Sequence, residues 1–158
     1  MCVLETLSHK LSVQACGFEV RSRGGEALSP AELAGMLAGL PRPVVALAYA
    51  KLAGDEQAAR MLYACLHVRA ADRARAESWS VPRGSERLGK LARLVRDDLL
   101  LPRPLLSGRA SARWIGVDEA DWRRQWKVRH AWLLAVGTGW EADLRRKLGR
   151  ELYGGGDQ

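Results

Sequence analysis

Apolar residues recur at intervals of three and four along much of the chain, which predicts a succession of amphipathic α-helices. The apolar face of the first such stretch comprises Leu33, Met36, Leu37 and Leu40. Ser29 is suited to cap this helix, because Pro30 would take its first position and Glu32 lies three residues after the serine. The pattern therefore predicts a short helix that begins after Ser29 and ends near Gly39.

The same periodicity predicts further helices over residues 44–54, 55–79, 85–102, 107–115, 118–136 and 139–152. Gly54 is expected to close the first of these and Asp55 to cap the next. Gly137 and Thr138 are predicted to interrupt the chain before the last helix, with Thr138 and Glu141 forming a second capping box. The alternation over residues 8–20 allows a short strand, but nothing between the helices favours one. The sequence therefore predicts an all-α, multi-helix bundle of short helices with a partly irregular N-terminal arm.

Charge is distributed unevenly along the chain. Residues 1–66 contain six basic and six acidic residues, whereas residues 67–158 contain nineteen basic and twelve acidic ones and account for the whole net charge of +7. A turn is predicted near residue 80. The predicted divisions are an N-terminal arm (1–28), a neutral helical half (29–80), a basic helical half (81–153) and a flexible tail (154–158). A segregated positive half favours a polyanionic partner over a protein that is merely basic.

The stretch Ser107–Trp126 has the residue pattern of a helix-turn-helix. A small residue, Ala112, stands where the two helices would touch, and Gly116 stands where the turn needs a residue tolerant of positive φ. The apolar residues that flank the turn are Ile115, Val117 and Trp122. The basic half is therefore predicted to contain a C-terminal helix-turn-helix that binds DNA, while a structural αα-hairpin with the same small residue and glycine is the alternative.

Five cations of this motif are the predicted DNA contacts. Arg123, Arg124 and Lys127 lie on the second helix, which suits a helix laid against a phosphate backbone. Arg109 and Arg113 lie on the preceding helix, where they would contact phosphates. Other cations, on the 85–102 helix, are predicted to form an ordinary solvated face: Arg87, Lys90, Arg93 and Arg96.

Three acidic residues, Asp118, Glu119 and Asp121, stand at the start of the second helix, where phosphates would be repelled. Asp118 is suited to be the N-cap, and the other two favour the positive end of the helix dipole. Either the second helix is shifted so that its cations reach DNA, or this hairpin does not read the bases.

Five of the six tryptophans lie between residues 114 and 140. A tryptophan-rich small core is the preferred interpretation, since each aromatic side chain buries roughly 150–250 Å². Stacking on nucleic-acid bases is the alternative. We expect Trp122 and Trp140 to be the most buried, and Trp114 and Trp126 to keep an indole edge at the surface.

The residues that catalysis or metal binding would require are absent or scattered. Cys2, Cys16 and Cys65 contain no CxxC pair, which favours reduced thiols over a disulfide framework or a zinc site. Nucleophile and phosphate-loop motifs are missing, and His130 is predicted to lie on a helix surface or to donate a local hydrogen bond. We therefore expect no catalytic residue, no metal and no cofactor, hence no enzyme.

The sequence predicts neither insertion in a membrane nor export. No uninterrupted apolar run reaches the roughly 18 residues of a membrane span. The first twenty residues lack the charged and apolar regions of a secretory signal. We therefore expect a cytoplasmic location, in a bacterial cell because arginine exceeds lysine and alanine is abundant, as in proteins of GC-rich genomes.

Four stretches together resemble the late-gene antitermination proteins of lambdoid phages, the Q-type proteins. They are ASARWIGV (110–117), WRRQWKVRHAWL (122–133), WEADLRRKL (140–148) and, more loosely, LSPAELAGMLAGLPRP (28–43). The resemblance implies a sequence-specific DNA-binding transcription regulator that binds near a late promoter, loads onto bacterial RNA polymerase and lets it read through terminators.

The same resemblance implies DNA contacts from Arg109, Arg113, Arg123, Arg124 and Lys127. No cysteine follows Cys65, so the zinc module of several Q-type proteins is not expected here.

Two other functions remain open from the residues. A small phage-encoded protein-interaction module, which inhibits or redirects a host protein complex, would suit the acidic first turn at Asp118 and the tryptophan content. A binder of single strands or RNA would use tryptophan stacking.

Overall fold

Capping residues and glycines divide the chain into helices joined by short connections. A computed structural model describes residues 29–82 and 85–153, and within these residues it contains helices and no strand. The helices are α1 (Pro30–Leu37), α2 (Arg42–Ala53), α3 (Glu56–Ala76), α4 (Arg87–Leu100), α5 (Gly108–Ile115), α6 (Glu119–Asp121) and α7 (Lys127–Tyr153), with a π-helical turn (Trp122–Trp126) between α6 and α7. The predicted all-α fold is confirmed. The predicted arm (1–28) and tail (154–158) lie outside the described residues.

Local hydrogen bonds explain where the first helices begin and end. The Oγ atom of Ser29 accepts from the backbone N–H of Glu32, and the Glu32 carboxylate accepts from the N–H of Ser29 at 2.7 Å. These bonds, the backbone one first, lower the pKa of Glu32. Gly54 ends α2 with φ of 63°, and Asp55 caps α3 by accepting from the N–H of Ala58 at 2.8 Å. The predicted capping box and the predicted helix boundary at 54–55 are confirmed.

The chain forms two compact units, each with its own buried residues. The described part of the first unit comprises residues 29–59 and 140–153, and its buried side chains include Leu33, Leu37, Val44, Leu47, Leu144 and Leu148. The second unit comprises residues 60–139, and its buried side chains include Leu62, Leu66, Leu91, Leu94, Val95, Ile115 and Leu133. The predicted boundary near residue 80 lies inside the second unit, where it marks a change in charge along the sequence.

The second unit holds the positive charge of the protein. Residues 60–139 contain 16 Arg and Lys against 8 Asp and Glu, a net charge of +8. The rest of the chain contains 9 basic and 10 acidic residues, a net charge of −1, and the two parts together give +7. The potential that would attract a polyanion is therefore produced by this one unit.

The predicted interruption at Gly137 and Thr138 is wrong, because α7 continues through both residues. A Cβ atom at Gly137 would overlap Cδ1 of Leu99, so this glycine allows α4 and α7 to approach closely. Thr138 donates its hydroxyl to the carbonyl of Ala135 at 3.0 Å rather than capping a new helix. Glu141 instead pairs with Lys51 and Arg145.

Candidate nucleic-acid interface

The turn of the predicted helix-turn-helix is built by Gly116. Its φ of 81° and ψ of 43° are left-handed, and its N–H donates to the carbonyl of Ala112 at 2.9 Å. The N–H of Val117 donates to the same carbonyl at 3.0 Å. Asp118 then caps the next helix by accepting from the N–H of Asp121 at 2.7 Å. Helix α5 thus ends at Ile115, as predicted, and the second helical segment begins four residues later, at Glu119.

The small and apolar residues of the motif hold the two segments together. Ala112, Ile115 and Trp122 are each at most 5% exposed. A Cβ atom at Gly108 would lie 3.2 Å from the indole nitrogen of Trp122, so the start of α5 passes directly beside that ring. Three of the four predicted packing residues are therefore buried, whereas Val117, which follows the turn, is only half-buried.

A π-helical turn, Trp122–Trp126, replaces the regular α-helix that the periodicity predicts. The N–H of Lys127 donates to the carbonyl of Trp122, five residues earlier, instead of four. Both tryptophans are buried, while Arg123 and Arg124 between them are exposed. Single π turns inside α-helices are often found at functional sites.

Three of the five predicted DNA-contact residues line one groove of about 300 Å³. They are Arg109 from α5, Arg123 from the π turn and Lys127 from α7. Glu119 lies between the two arginines, 3.4 Å from Nε of Arg109 and 3.6 Å from Nη2 of Arg123. The acidic start of the second segment is therefore not a separate patch, because its glutamate is paired with the predicted contacts.

The other two predicted contacts lie apart from this groove. Arg124 forms an ion pair of 2.8 Å with Asp121 and remains 68% exposed. Arg113 lines a second cavity, together with Lys90 and Arg93 of α4. Sequence reasoning missed these two α4 residues, since a row of cations on a helix is usually an ordinary solvated face. The regular three-residue spacing of the α4 cations indicates that they are close to one another along the helix, but not that they meet Arg113.

Three tryptophans of the second unit, Trp79, Trp126 and Trp132, pack against arginines. The guanidinium of Arg129 lies 4.5 Å from the ring centre of Trp79 and 4.8 Å from that of Trp126, and Arg73 lies 4.7 Å from the ring of Trp132. This stacking explains why Trp126 is 3% exposed, contrary to the predicted surface edge. Trp114, at 41% exposed, keeps the surface edge that was expected.

Contacts and burial in this cluster of tryptophans and arginines lower the pKa values of Glu77 and Arg129. The indole N–H of Trp79, which donates to the Glu77 carboxylate at 2.8 Å, lowers the pKa of Glu77, and Arg73 adds to this effect. Burial lowers the pKa of Arg129, and Glu77 opposes that effect. The geometry favours a structural role over base stacking for these rings, of which Trp126 is buried and Trp79 and Trp132 are half-buried.

Of the two alternatives predicted for His130, the helix-surface position is wrong. It is 9% exposed rather than at a helix surface, and its Nε2 lies 2.8 Å from Oδ2 of Asp98. The neighbouring Asp97 pairs with Arg96 at 2.6 Å. Within the described residues no group of three His, Cys, Asp or Glu side chains is arranged to hold a metal ion.

Comparisons with models of protein families, with curated proteins and with solved structures find no match to this chain. The resemblance to the Q-type antitermination proteins therefore rests on the quoted motifs and stays a prediction. None of the helices in the described part of the chain combines the length and the apolar character that a membrane crossing requires.

Proposed function

We propose that the second unit binds double-stranded DNA around the turn at Gly116 and that the protein regulates transcription. The observation that supports this is a set of exposed cations on both sides of a left-handed helix-turn-helix turn: Arg109, Arg113, Arg123, Arg124 and Lys127. Exposed Arg and Lys on such a motif are the groups that hold DNA phosphates. The charge of +8 on this unit favours encounter with a polyanion.

Glu119 affects which cations of this surface are available to a phosphate. The described residues of the groove include three cations and one carboxylate, so a phosphate would compete with Glu119 for Arg109 and Arg123. Exposed ion pairs contribute roughly 0–1 kcal/mol, so this exchange costs little. Lys127 has no ion-pair partner among the described residues, which makes it available to a phosphate without any exchange.

Fluorescence anisotropy of a labelled duplex, measured with the full chain at several salt concentrations, tests DNA binding. We expect a log–log slope of about −0.9 per phosphate contacted. Lys127→Ala should weaken binding and reduce the slope by about 1. Glu119→Gln should strengthen binding, because among the described residues Glu119 is the only carboxylate that lines the groove.

Arg124 has a matched control in the first unit. Arg146 is similarly exposed, 66% against 68%, and is likewise paired with an aspartate three residues earlier. Arg124→Ala should weaken duplex binding and Arg146→Ala should not. Equal losses in these two variants, or an affinity that does not change with salt, would contradict the proposed surface.

The regulatory part of the proposal, antitermination with bacterial RNA polymerase as a partner, rests on the motif resemblance. Transcription past a terminator by purified polymerase, with and without the full chain, tests it. Increased read-through is expected on templates that carry the bound DNA site. Unchanged termination on a template that the chain demonstrably binds would contradict antitermination and leave DNA binding intact.

A protein-interaction module is the second candidate, because the connection from α4 to α5 exposes apolar side chains. Leu101, Leu105 and Leu106 are 48%, 54% and 36% exposed. Exposed apolar groups that lie together favour a protein partner. Retention of one host protein after nuclease treatment, and its loss with Leu105→Ser, would favour this function if no duplex binding is detected.

A further inference from the structure

A surface cavity of about 530 Å³ lies between α4 and α5, and Leu106 is the one described residue that it shares with the groove that contains Glu119. Its lining residues are Lys90, Arg93, Leu106, Ala110, Arg113 and Trp114. Pockets that hold small organic ligands typically measure about 300–1,000 Å³. The cavity therefore has room for a ligand considerably larger than an inorganic anion.

The charged side of this cavity is formed by three cations. Lys90, Arg93 and Arg113 line it, and in the described part of the chain none of the three forms an ion pair. Arg93 instead lies 5.9 Å from the ring centre of Tyr63. This differs from the turn, where Arg109 and Arg123 are paired with Glu119. An anion entering the cavity would thus displace no carboxylate.

The apolar side of the cavity is formed by a tryptophan that is held in place. The indole N–H of Trp114 donates to the backbone carbonyl of Lys90 at 3.1 Å, which fixes the ring against α4. The ring nevertheless remains 41% exposed. Leu106 and Ala110 complete the apolar wall. A flat aromatic ring is the group that an exposed, immobilised indole binds best, by offset stacking.

We infer that this cavity binds a nucleotide unit, with its phosphate held by Lys90, Arg93 and Arg113 and its base stacked on Trp114. A nucleotide has a group for each side of the cavity. A guanidinium group can donate two parallel hydrogen bonds to phosphate oxygens, and a base can stack on tryptophan. The unit belongs either to a free nucleotide or to an unpaired residue of a single strand. The cavity shares Arg113 with the proposed duplex surface, but Arg109, Arg123 and Lys127 do not line it, so a variant of Lys127 tests duplex binding without changing this cavity.

Isothermal titration of the full chain with dTMP, thymidine, inorganic phosphate and a ten-residue oligothymidylate tests the inference. We expect saturable binding of dTMP, and at least tenfold weaker binding of thymidine and of phosphate, which each lack one half of the ligand. An oligothymidylate that binds more than tenfold tighter than dTMP assigns the site to single strands. Comparable affinities assign it to free nucleotides. The inference is overturned if neither dTMP nor the oligonucleotide binds, or if phosphate binds as tightly as dTMP.

Variants of the cavity residues distinguish stacking of the base on Trp114 from binding of the phosphate by the cations. Trp114→Phe and Trp114→Leu both lose the hydrogen bond to Lys90, so the difference between them measures stacking, which we expect to be about tenfold in dTMP affinity. Arg113→Gln should weaken dTMP binding about tenfold through the phosphate. Arg146→Gln, in the other unit, is the control and should have no effect. Loss of dTMP binding in the cavity variants but not in Lys127→Ala distinguishes this site from the duplex surface, and equal affinities of the Phe and Leu variants would overturn the stacking.

Discussion

The Nε2–H of His130 donates a hydrogen bond of 2.8 Å to Oδ2 of Asp98 and so connects α7 to α4. The Asp98 side chain is 1% exposed. Its other oxygen lies 3.2 Å from Nη1 of Arg103 but accepts no hydrogen bond, so it experiences the attraction of the guanidinium alone. Because a buried carboxylate is costly unless it is paired, α4 and α7 depend on this contact for their packing.

Asp98→Ala is expected to lower the free energy of unfolding by about 3 kcal/mol, because it breaks a buried pair and leaves His130 without its acceptor. Asp97→Ala is the matched control. Asp97 is partly exposed and pairs with Arg96, so its loss should cost about 0.5 kcal/mol. Urea denaturation at neutral pH measures both variants, and equal losses would show that the contact with His130 has no special weight.

Gly137→Ala and Gly139→Ala should change stability in opposite directions. A Cβ atom at Gly137 would overlap the buried Leu99, and overpacking of a core typically costs 1–3 kcal/mol, more than the gain in helix propensity. A Cβ atom at Gly139 would meet nothing within 4 Å, so alanine there should raise the free energy of unfolding by about 0.5–1 kcal/mol. Thermal unfolding followed by circular dichroism gives both values. A stabilising Gly137→Ala would mean that the close approach of α4 and α7 is not needed.

Helix ends could be predicted from the sequence because they depend on neighbouring residues. The Ser29 box and the glycine ends at Gly54 and Gly116 involve side chains and carbonyls within a few positions of one another. The continuity of α7 could not be predicted in this way. Gly137 has the composition of a helix break, but the space that it leaves is filled by Leu99 from another helix. Local patterns do not distinguish a glycine that breaks a helix from one that lets a helix pack closely.

The candidate site, like the helix ends, could be predicted only where it depends on residues that are close together in the sequence. Arg109, Arg123 and Lys127 flank one turn, so the motif alone indicates that they come together. Lys90 and Arg93 reach Arg113 through the packing of α4 on α5, which the period of α4 does not reveal. The turn could therefore be predicted from the sequence, whereas the cavity between α4 and α5 can be identified only from the tertiary structure.

Gly116→Ala is expected to destabilise the second unit by about 1–2 kcal/mol, since alanine in the left-handed region is strained. The nearest atom to an added Cβ is Nζ of Lys90 at 3.9 Å, so backbone strain rather than crowding sets this cost. Gly116→Asn should cost less, because asparagine tolerates the left-handed region better than alanine does. Urea denaturation compares the two variants. An alanine variant as stable as the original chain would argue against a left-handed turn at this position.

Glu141 is expected to stabilise the first unit in a pH-dependent way. Burial alone would raise its pKa, but hydrogen bonds from Arg145 and Lys51 outweigh burial and hold the pKa below the usual range. Lys51 lies 3.1 Å and Arg145 lies 2.6 Å from its Oε1. A lowered pKa in the folded state means that the stabilisation is fully present above the ordinary glutamate pKa of about 4.3 and is lost as the pH falls through the folded value.

Glu141→Gln should therefore lower the free energy of unfolding at pH 7 by roughly 0.5–1 kcal/mol. This is the upper part of the range for exposed ion pairs, because the Lys51–Glu141 pair is only partly exposed to solvent. This deficit should shrink as the pH is lowered below the ordinary glutamate pKa of about 4.3 and through the lower folded value, where the glutamate of the original chain becomes protonated. Asp143→Asn removes the more exposed pair with Arg146 and is the control, with an expected change below about 0.3 kcal/mol. Urea denaturation at a series of pH values measures the three proteins. A deficit that is the same at pH 7 and pH 3 would show that the amide affects packing rather than the charge of Glu141.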